Sequence, residues 1–443
     1  MADTLIRWID GRAPTEISGG ATWGMPFPRG TVPGVEALAV ADGGGTRVPS
    51  QAWPLATWPD GSLKWAGVAL PATGSPSDTY LVTSDAGTTA GAGQPASGNP
   101  SVTVTESADA ITVDTGVLRM VINRSGSTLF RSLSRGGKAV ARDARLVSLL
   151  QDDLPEDAGT VGREAFTGEV TGVVPEQSGP VRAVVRLEGN HRPDAPGSGK
   201  RNWLPFMVRF YFYANARSVR MVHSFIWDGD AEHHFLAGLG VRFTLPLEAE
   251  LHNRHIRIAG ADGGFLTEGV RGLTGLRRDP GAEVRDAQIA GRATPPPESW
   301  NPEVSDRLHL VPAWGDYTLT QLSADGFELR KRTTAGHGWV GISGGTRSAG
   351  FCSLSDTRGG LGVGVKDFWQ SHPGQLDIRG AATDEASITA WLYSPKPSPW
   401  TCGSTTTAWA RTPSRNSSRA SRSPMRTTSR ASETPRELPA PMS

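Results

Sequence analysis

Residues 327–378 read FELRKRTTAGHGWVGISGGTRSAGFCSLSDTRGGLGVGVKDFWQSHPGQLDI. Short alternating or apolar runs stand at 339–342, 350–354, 361–365 and 376–378, separated by clusters of Gly, Thr, Ser and Asp. That rhythm predicts successive antiparallel strands. Cations and indoles thread the same stretch: Lys331, Arg332, His337, Trp339, Arg347, Arg358, Lys366 and Trp369. Indoles stack on ring faces and guanidinium or ammonium groups pair with carboxylates, so the mixture suits acidic sugars. The plainer alternative is that each cation is a solvated edge or turn residue.

Working outward, the same pattern recurs. Residues 102–126 read as strand, turn, strand, turn, strand, and alternation returns at 166–174, 181–188, 207–212, 219–226, 254–260 and 318–322. Polar loops interrupt near 152–159 and 192–201, and 278–306, with Pro295-Pro296-Pro297, reads as an extended surface excursion. No long helical period occurs, which predicts one large antiparallel sandwich over 102–396. Upstream, Pro59-Asp60-Gly61 between two alternating runs is a tight turn, because Pro presets φ, Asp bonds locally and Gly accepts positive φ. It places Trp58 and Trp65 at the base of a hairpin, read as core residues of a small all-β domain over 1–84. Residues 85–101 have no bulky apolar side chain and read as a linker.

The totals narrow the class. The chain has 443 residues, 54 Gly, 33 Pro and a formal net charge of +1. Near-neutrality gives no electrostatic reason to expect nucleic acid or an anionic membrane. Cys352 and Cys402 make neither a disulfide framework nor a zinc spacing. No apolar signal core or long apolar run occurs, so the chain as written is expected in the cytoplasm, or secreted if an export signal lies upstream. Residues 401–443 contain one Leu and no Ile, Val, Phe or Tyr. The expectation for 397–443 is a disordered tail. A frameshift near 395–400 explains its Arg/Ser/Thr/Pro/Ala mixture, because a shifted reading of GC-rich codons restores aromatic and acidic residues.

Four motifs carry a resemblance: Met25-Pro26-Phe27-Pro28-Arg29-Gly30, the run from Trp58 to Trp65, Phe225-Ile226-Trp227-Asp228-Gly229-Asp230, and Val365-Lys366-Asp367-Phe368-Trp369-Gln370. Together they resemble the exo-acting rhamnogalacturonan lyase family and its bacterial relatives, from residue 5 to about 396. The resemblance implies an N-terminal RIFT-type barrel, a central β-sandwich and a C-terminal helical toroid, for which this sequence shows no counterpart. It implies an acidic plant-type polysaccharide or oligosaccharide as partner and β-elimination at a rhamnose–galacturonate linkage. With one wall of a cleft between sandwich and toroid, the expectation for the 443-residue chain is no lyase activity.

Such elimination needs a group that neutralises the uronate carboxylate, a base for the C5 proton and an acid for the leaving oxygen. Lys331 and Arg332 are the candidates for neutralisation; a divalent cation such as calcium can also serve. His337 or His234 is the candidate for proton transfer, and Trp314, Trp339 and Trp369 for stacking, with Arg347, Arg358 and Lys366 as further substrate contacts. Asp228-Gly229-Asp230-Ala231-Glu232-His233-His234 follows a strand and offers an acid–base pair or a cation site, or else a solvated turn. It has no HxH or HExxH spacing, so no transition metal is expected. No P-loop is present, and Gly341-Ile342-Ser343-Gly344-Gly345, which has the GxSxG spacing, lies among predicted strands with no helical pattern after it, as a nucleophile elbow would need. The rival readings are a glycoside hydrolase of sandwich-plus-toroid type, a non-catalytic carbohydrate-binding protein, and a truncated product that binds nothing.

Overall fold

The computed structural model describes residues 4–84, 101–152 and 161–396. The expected linker, apart from Ser101, and the expected tail with Cys402 lie outside these residues. Strands make up 52% of the structure and helix 7%, which makes it all-β.

The N-terminal part packs two three-stranded sheets. One holds Thr4–Arg7, Thr79–Ser84 and Leu38–Asp42; the other holds Ala21–Pro26, Leu63–Leu70 and Gln51–Thr57. Met25, Phe27, Val32, Val40, Val68 and Val82 fill the space between them. The hairpin turn forms as its residues dictate. Gly61 has φ 86°, and Asp60 accepts hydrogen bonds from the Ser62 amide and hydroxyl. Those bonds lower the Asp60 carboxyl to about 2. Trp58 is half-buried, but Trp65 is 42% exposed, so the reading of both indoles as core is corrected. Trp65 and its neighbour Lys64 are the two exposed residues of the otherwise buried strand Leu63–Leu70.

The sandwich is built on one long sheet of eleven strands. From edge to edge these are Arg220–Phe225, Trp203–Tyr213, Arg182–Pro193, Arg163–Ser178, Lys138–Gln151, Phe235–Pro246, Glu385–Tyr393, Gly374–Arg379, Asp316–Ser323, Gly326–Arg332 and Val340–Gly345. One face of it carries two hydrophobic cores. At one end a meander of Thr103–Glu106, Ala110–Asp114, Leu118–Asn123 and Phe130–Arg135 covers the face. There Ile111, Met120 and Phe130 meet Leu187, Val208 and Phe210. At the other end a separate four-stranded sheet, Phe265–Gly269, Arg254–Ala259, Phe351–Asp356 and Gly359–Gly364, does the covering. There Ile256, Cys352 and Leu354 meet Tyr317, Leu319, Leu376 and Ile388. The opposite face of the long sheet is largely polar.

Two parts differ from the sequence reading. The segment 278–306 is no extended excursion: it forms the helix Ala282–Ile289 and the short helix Pro302–Ser305, packed through Val284, Trp300 and Val304 on Leu273. The strands Lys138–Gln151, Phe235–Pro246 and Glu385–Tyr393, which lie mid-sheet, were not expected. They carry long apolar or irregular runs in place of clean alternation.

The N-terminal unit is joined to the sandwich by packed and polar contacts. Ala69 and Ala72 bury against Val181, Tyr213 and Ala216. Gln51 Oε1 accepts from the amides of Val181 and Arg182 at 3.1 and 2.7 Å. The Arg182 guanidinium lies over Trp53 at 4.5 Å and Tyr211 at 5.1 Å. Gly20, with φ 75°, lets the Tyr213 ring reach Thr22, with 2.7 Å between the two hydroxyls. A Cβ at Gly20 would stand 2.2 Å from that ring. Gly20→Ala is therefore expected to cost about 1–3 kcal/mol through crowding, with positive-φ strain added. Urea unfolding should show the loss, and proteolysis should cut between the two units faster; wild-type behaviour in both would remove this contact as a determinant of the junction.

Candidate functional site

The strand Gly326–Arg332 sends alternate side chains to opposite faces of the sheet. Phe327 and Leu329 enter the hydrophobic core. Lys331 continues that row beside buried Tyr317, its register partner. Its ammonium binds Glu268 at 2.7 and 2.9 Å and lies 4.3 Å from the centre of the Trp314 ring. Tyr317 donates its hydroxyl to the same Glu268. Burial, then the neighbouring Glu268 charge, pushes the Tyr317 phenol far up, so it stays protonated. Lys331 is thus spent inside a mostly buried pair, its side chain 14% exposed.

Arg332 points to the polar face. Its Nε donates to Asp316 at 2.7 Å, and its guanidinium lies 4.5 Å from the centre of the Trp339 ring. Among the described residues its two terminal nitrogens have no hydrogen-bond partner. Arg379, two strands away, approaches the same indole at 5.1 Å. Trp339 is 37% exposed. Beneath lies a network that the sequence reading missed. Asp377 accepts from the Thr318 hydroxyl at 2.8 Å, the Gln375 amide, the Trp391 indole at 2.9 Å and Arg379. Alternation over Gln375, Asp377 and Arg379 was legible, but their convergence depends on which strands pair. Lys396 comes close to the same patch, and burial, then Arg330, holds its ammonium below the usual value.

The other candidates separate. His337 lies in the loop between Arg332 and Val340, exposed, with Nδ1 2.7 Å from the Thr333 hydroxyl. Arg347 pairs with Asp325 at 2.9 Å and lies over Trp369 at 4.3 Å, at the far end of the strand that carries Arg332. Lys366 faces Asp367 at 3.7 Å, and Arg358 pairs with Glu248. Trp314, Lys331, Arg332, His337 and Trp339 are therefore gathered at one sheet end, whereas Arg347, Arg358, Lys366 and Trp369 are not.

His234 lies elsewhere again. From Phe235–Pro246 to Gly326–Arg332 the chain direction reverses four times, so these two strands are parallel. His234 precedes the start of the first and Arg332 ends the second. Arg242 is level with Arg330 by register, which puts His234 about 27 Å below that row at ~3.4 Å per residue. His234 and Arg332 cannot act on one sugar bond. In the turn before it, Asp228 is taken by Arg201 and the Leu204 amide, and Asp230 by His233 and the Glu232 amide. No group of three or more His, Cys, Asp or Glu among the described residues could hold a metal ion.

Comparison with known proteins agrees with this architecture. Residues 2–85 match the PcRGLX-like N-terminal RIFT barrel domain, and residues 102–404 match the PcRGLX-like protein central beta sandwich domain. The chain belongs to the PcRGLX-like, exo-rhamnogalacturonan lyase-like family. It is also similar to the uncharacterized protein YetA of Bacillus subtilis (strain 168), at 32% identity over 392 residues. That alignment covers 88% of this chain and 44% of YetA, so the chain spans less than half the length of that relative.

This PcRGLX-like sandwich also encloses two histidines that sequence gave no reason to single out. His191 is fully buried, with its Nδ1–H donating to the Leu204 carbonyl at 2.9 Å. His223 has a covered Nε2, and neither Nε2 has a partner among the described residues. Burial pulls His191 down to about 4; burial, then His191, pulls His223 down to about 3. Both rings are neutral in the fold, while the unfolded chain takes up protons below about 6.5. The stability these two rings contribute is therefore full above pH 6.5 and falls as the pH drops toward 4, by up to two protons' worth of slope, to which buried His252 and His255, also held below the usual value, add. Denaturation curves across pH 4–8 should show that fall, and His191→Gln should flatten it. An unchanged slope in that variant would exclude His191 as its source.

Proposed function

We propose that this protein binds a pectic polysaccharide of the rhamnogalacturonan type on the polar face of its long sheet and takes part in β-elimination at a uronate. The supporting observation is Arg332: a partly buried guanidinium with a free terminal fork, anchored by Asp316 and set against an exposed indole. A planar fork matches a carboxylate in two parallel hydrogen bonds, and the indole offers a face to the sugar ring. Neutralising the carboxylate acidifies the C5 proton. Its removal forms the C4–C5 double bond as the C4–oxygen bond breaks and the leaving oxygen takes up a proton. His337, two residues from Trp339 in the same loop, is assigned to proton transfer.

A hydrolase fits less well. It needs two available carboxylates, yet Asp316, Asp377 and Glu328 on this face are each engaged by an arginine. A purely binding role is the second reading, because elimination needs both a base and an acid and the one candidate on this face besides His337 named among the described residues is Lys396, which lies nearer Arg330 and Arg379.

Arg332→Lys keeps the charge beside Asp316 but removes the fork. It should weaken binding of a galacturonate-containing oligosaccharide about tenfold or more in calorimetry, with little loss of stability. Lys331→Ala should do the reverse: it strands Glu268, costs about 3 kcal/mol of stability and leaves affinity unchanged. Equal affinity in wild type and Arg332→Lys would reject the site. Ultraviolet absorbance from unsaturated uronate, tested in parallel, separates elimination from binding alone.

A further inference from the structure

At the other end of the sheet lies a pocket that the reading above does not use. Its walls are Leu150, Lys200, Arg201, Trp203 and His234, and its room of about 10 Å3 is that of a single oxygen atom of a larger group held at its mouth. Trp203 is 3% exposed, and its indole N–H has no hydrogen-bond partner among the described residues. A buried donor without an acceptor is costly. The remaining polar groups of the wall are donors too. The Asp230 amide donates to His234 Nδ1 at 2.8 Å, which leaves the proton of the neutral ring on Nε2. The Lys200 side chain is exposed, with no partner among the described residues. Arg201 binds Asp228 at 3.2 Å and is exposed. Burial, then Lys200 and Arg201, keeps His234 below its usual value, as expected of an imidazole already beside two cations.

The backbone holds this arrangement in place. Leu204, next to Trp203, has φ 44°, a left-handed conformation that is rare for a bulky residue. Its amide is held by Asp228 at 2.8 Å and its carbonyl by His191 at 2.9 Å. The clamp fixes the irregular start of the strand Trp203–Tyr213, where the indole packs against Phe166 and Trp227. Asp228 and His191 are thus positioning residues for the pocket.

We propose that the Lys200, Arg201, Trp203 and His234 pocket is an oxyanion-binding site that takes one carboxylate or phosphate head. The indole N–H and the His234 Nε2–H donate to its oxygens, and the two cations neutralise it. The site stands independently of the Arg332 patch. Its test is an indole 1H–15N spectrum of the full chain titrated with sodium galacturonate, with inorganic phosphate and, as the neutral control, with galactose. The Trp203 peak, identified by its loss in Trp203→Phe, should shift saturably with one or both anions and not with galactose. Response to galacturonate alone assigns an acidic sugar; response to phosphate alone assigns a phosphate group. Lys200→Ala/Arg201→Ala, both at exposed loop positions, should weaken binding at least tenfold, and Arg332→Lys should leave it unchanged. Calorimetry with the same anions, comparing the double variant with wild type in an Arg332→Lys background so that the Arg332 patch contributes equally to both, gives a readout that needs no peak assignment. No saturable response to either anion, or equal responses in wild type and the double variant, would overturn the proposal.

Discussion

In a pleated strand neighbouring side chains cannot share a face, and in this protein one face of an eleven-stranded sheet is committed to two hydrophobic cores. Every polar residue that lands on that face must be paired there. Lys331 lands on it and is neutralised by Glu268 beneath Trp314. Arg332, one residue on, escapes to the other face and keeps part of its hydrogen-bonding capacity. The same alternation separates Asp377 from its neighbours Leu376 and Ile378: the two apolar residues fill the core, and the carboxylate organises Gln375, Thr318, Trp391 and Arg379 on the polar side.

Much of the fold was legible because alternation is a local property. The turn at Pro59-Asp60-Gly61, the meander from Thr103 to Asn123 and the strands of the quoted stretch lie within a few residues of where the sequence places them. The mid-sheet strands were harder to see. Phe235–Pro246 begins with an unbroken buried run, Phe235 to Val241, because on one of its faces Gly238 and Gly240 have no side chain to expose and are shielded by Leu149 and Trp391 of the neighbouring strands, and a continuous run carries no period. The helix Ala282–Ile289 was missed for a related reason: it is only two turns long and its burial rests on Val284, Ala287 and Gln288.

The site was only partly legible, and the limit is physical. Residue type and local spacing suggest that Lys331, Arg332, His337 and Trp339 belong together, and they do share one sheet end. Spacing does not reveal that adjacent cations face opposite ways, nor that Glu268, sixty-three positions from Lys331, supplies its counter-charge. It also cannot show that His234 stands at the opposite end of a strand parallel to the one carrying Arg332. Pairing order decides both, and pairing order is a long-range property. Family membership supplies the class of substrate to test, while the free fork of Arg332 and the exposed indole of Trp339 supply the place.

The most direct test of that place is oxidative footprinting of tryptophans by mass spectrometry, with and without a rhamnogalacturonan oligosaccharide. Trp339 and Trp65 have similar exposure, 37% and 42%, so each reports on its own surface at comparable sensitivity. The account predicts that the saccharide protects Trp339 and leaves Trp65 oxidised as before. Protection of Trp65 with none at Trp339 would contradict it and move the saccharide surface to the N-terminal barrel.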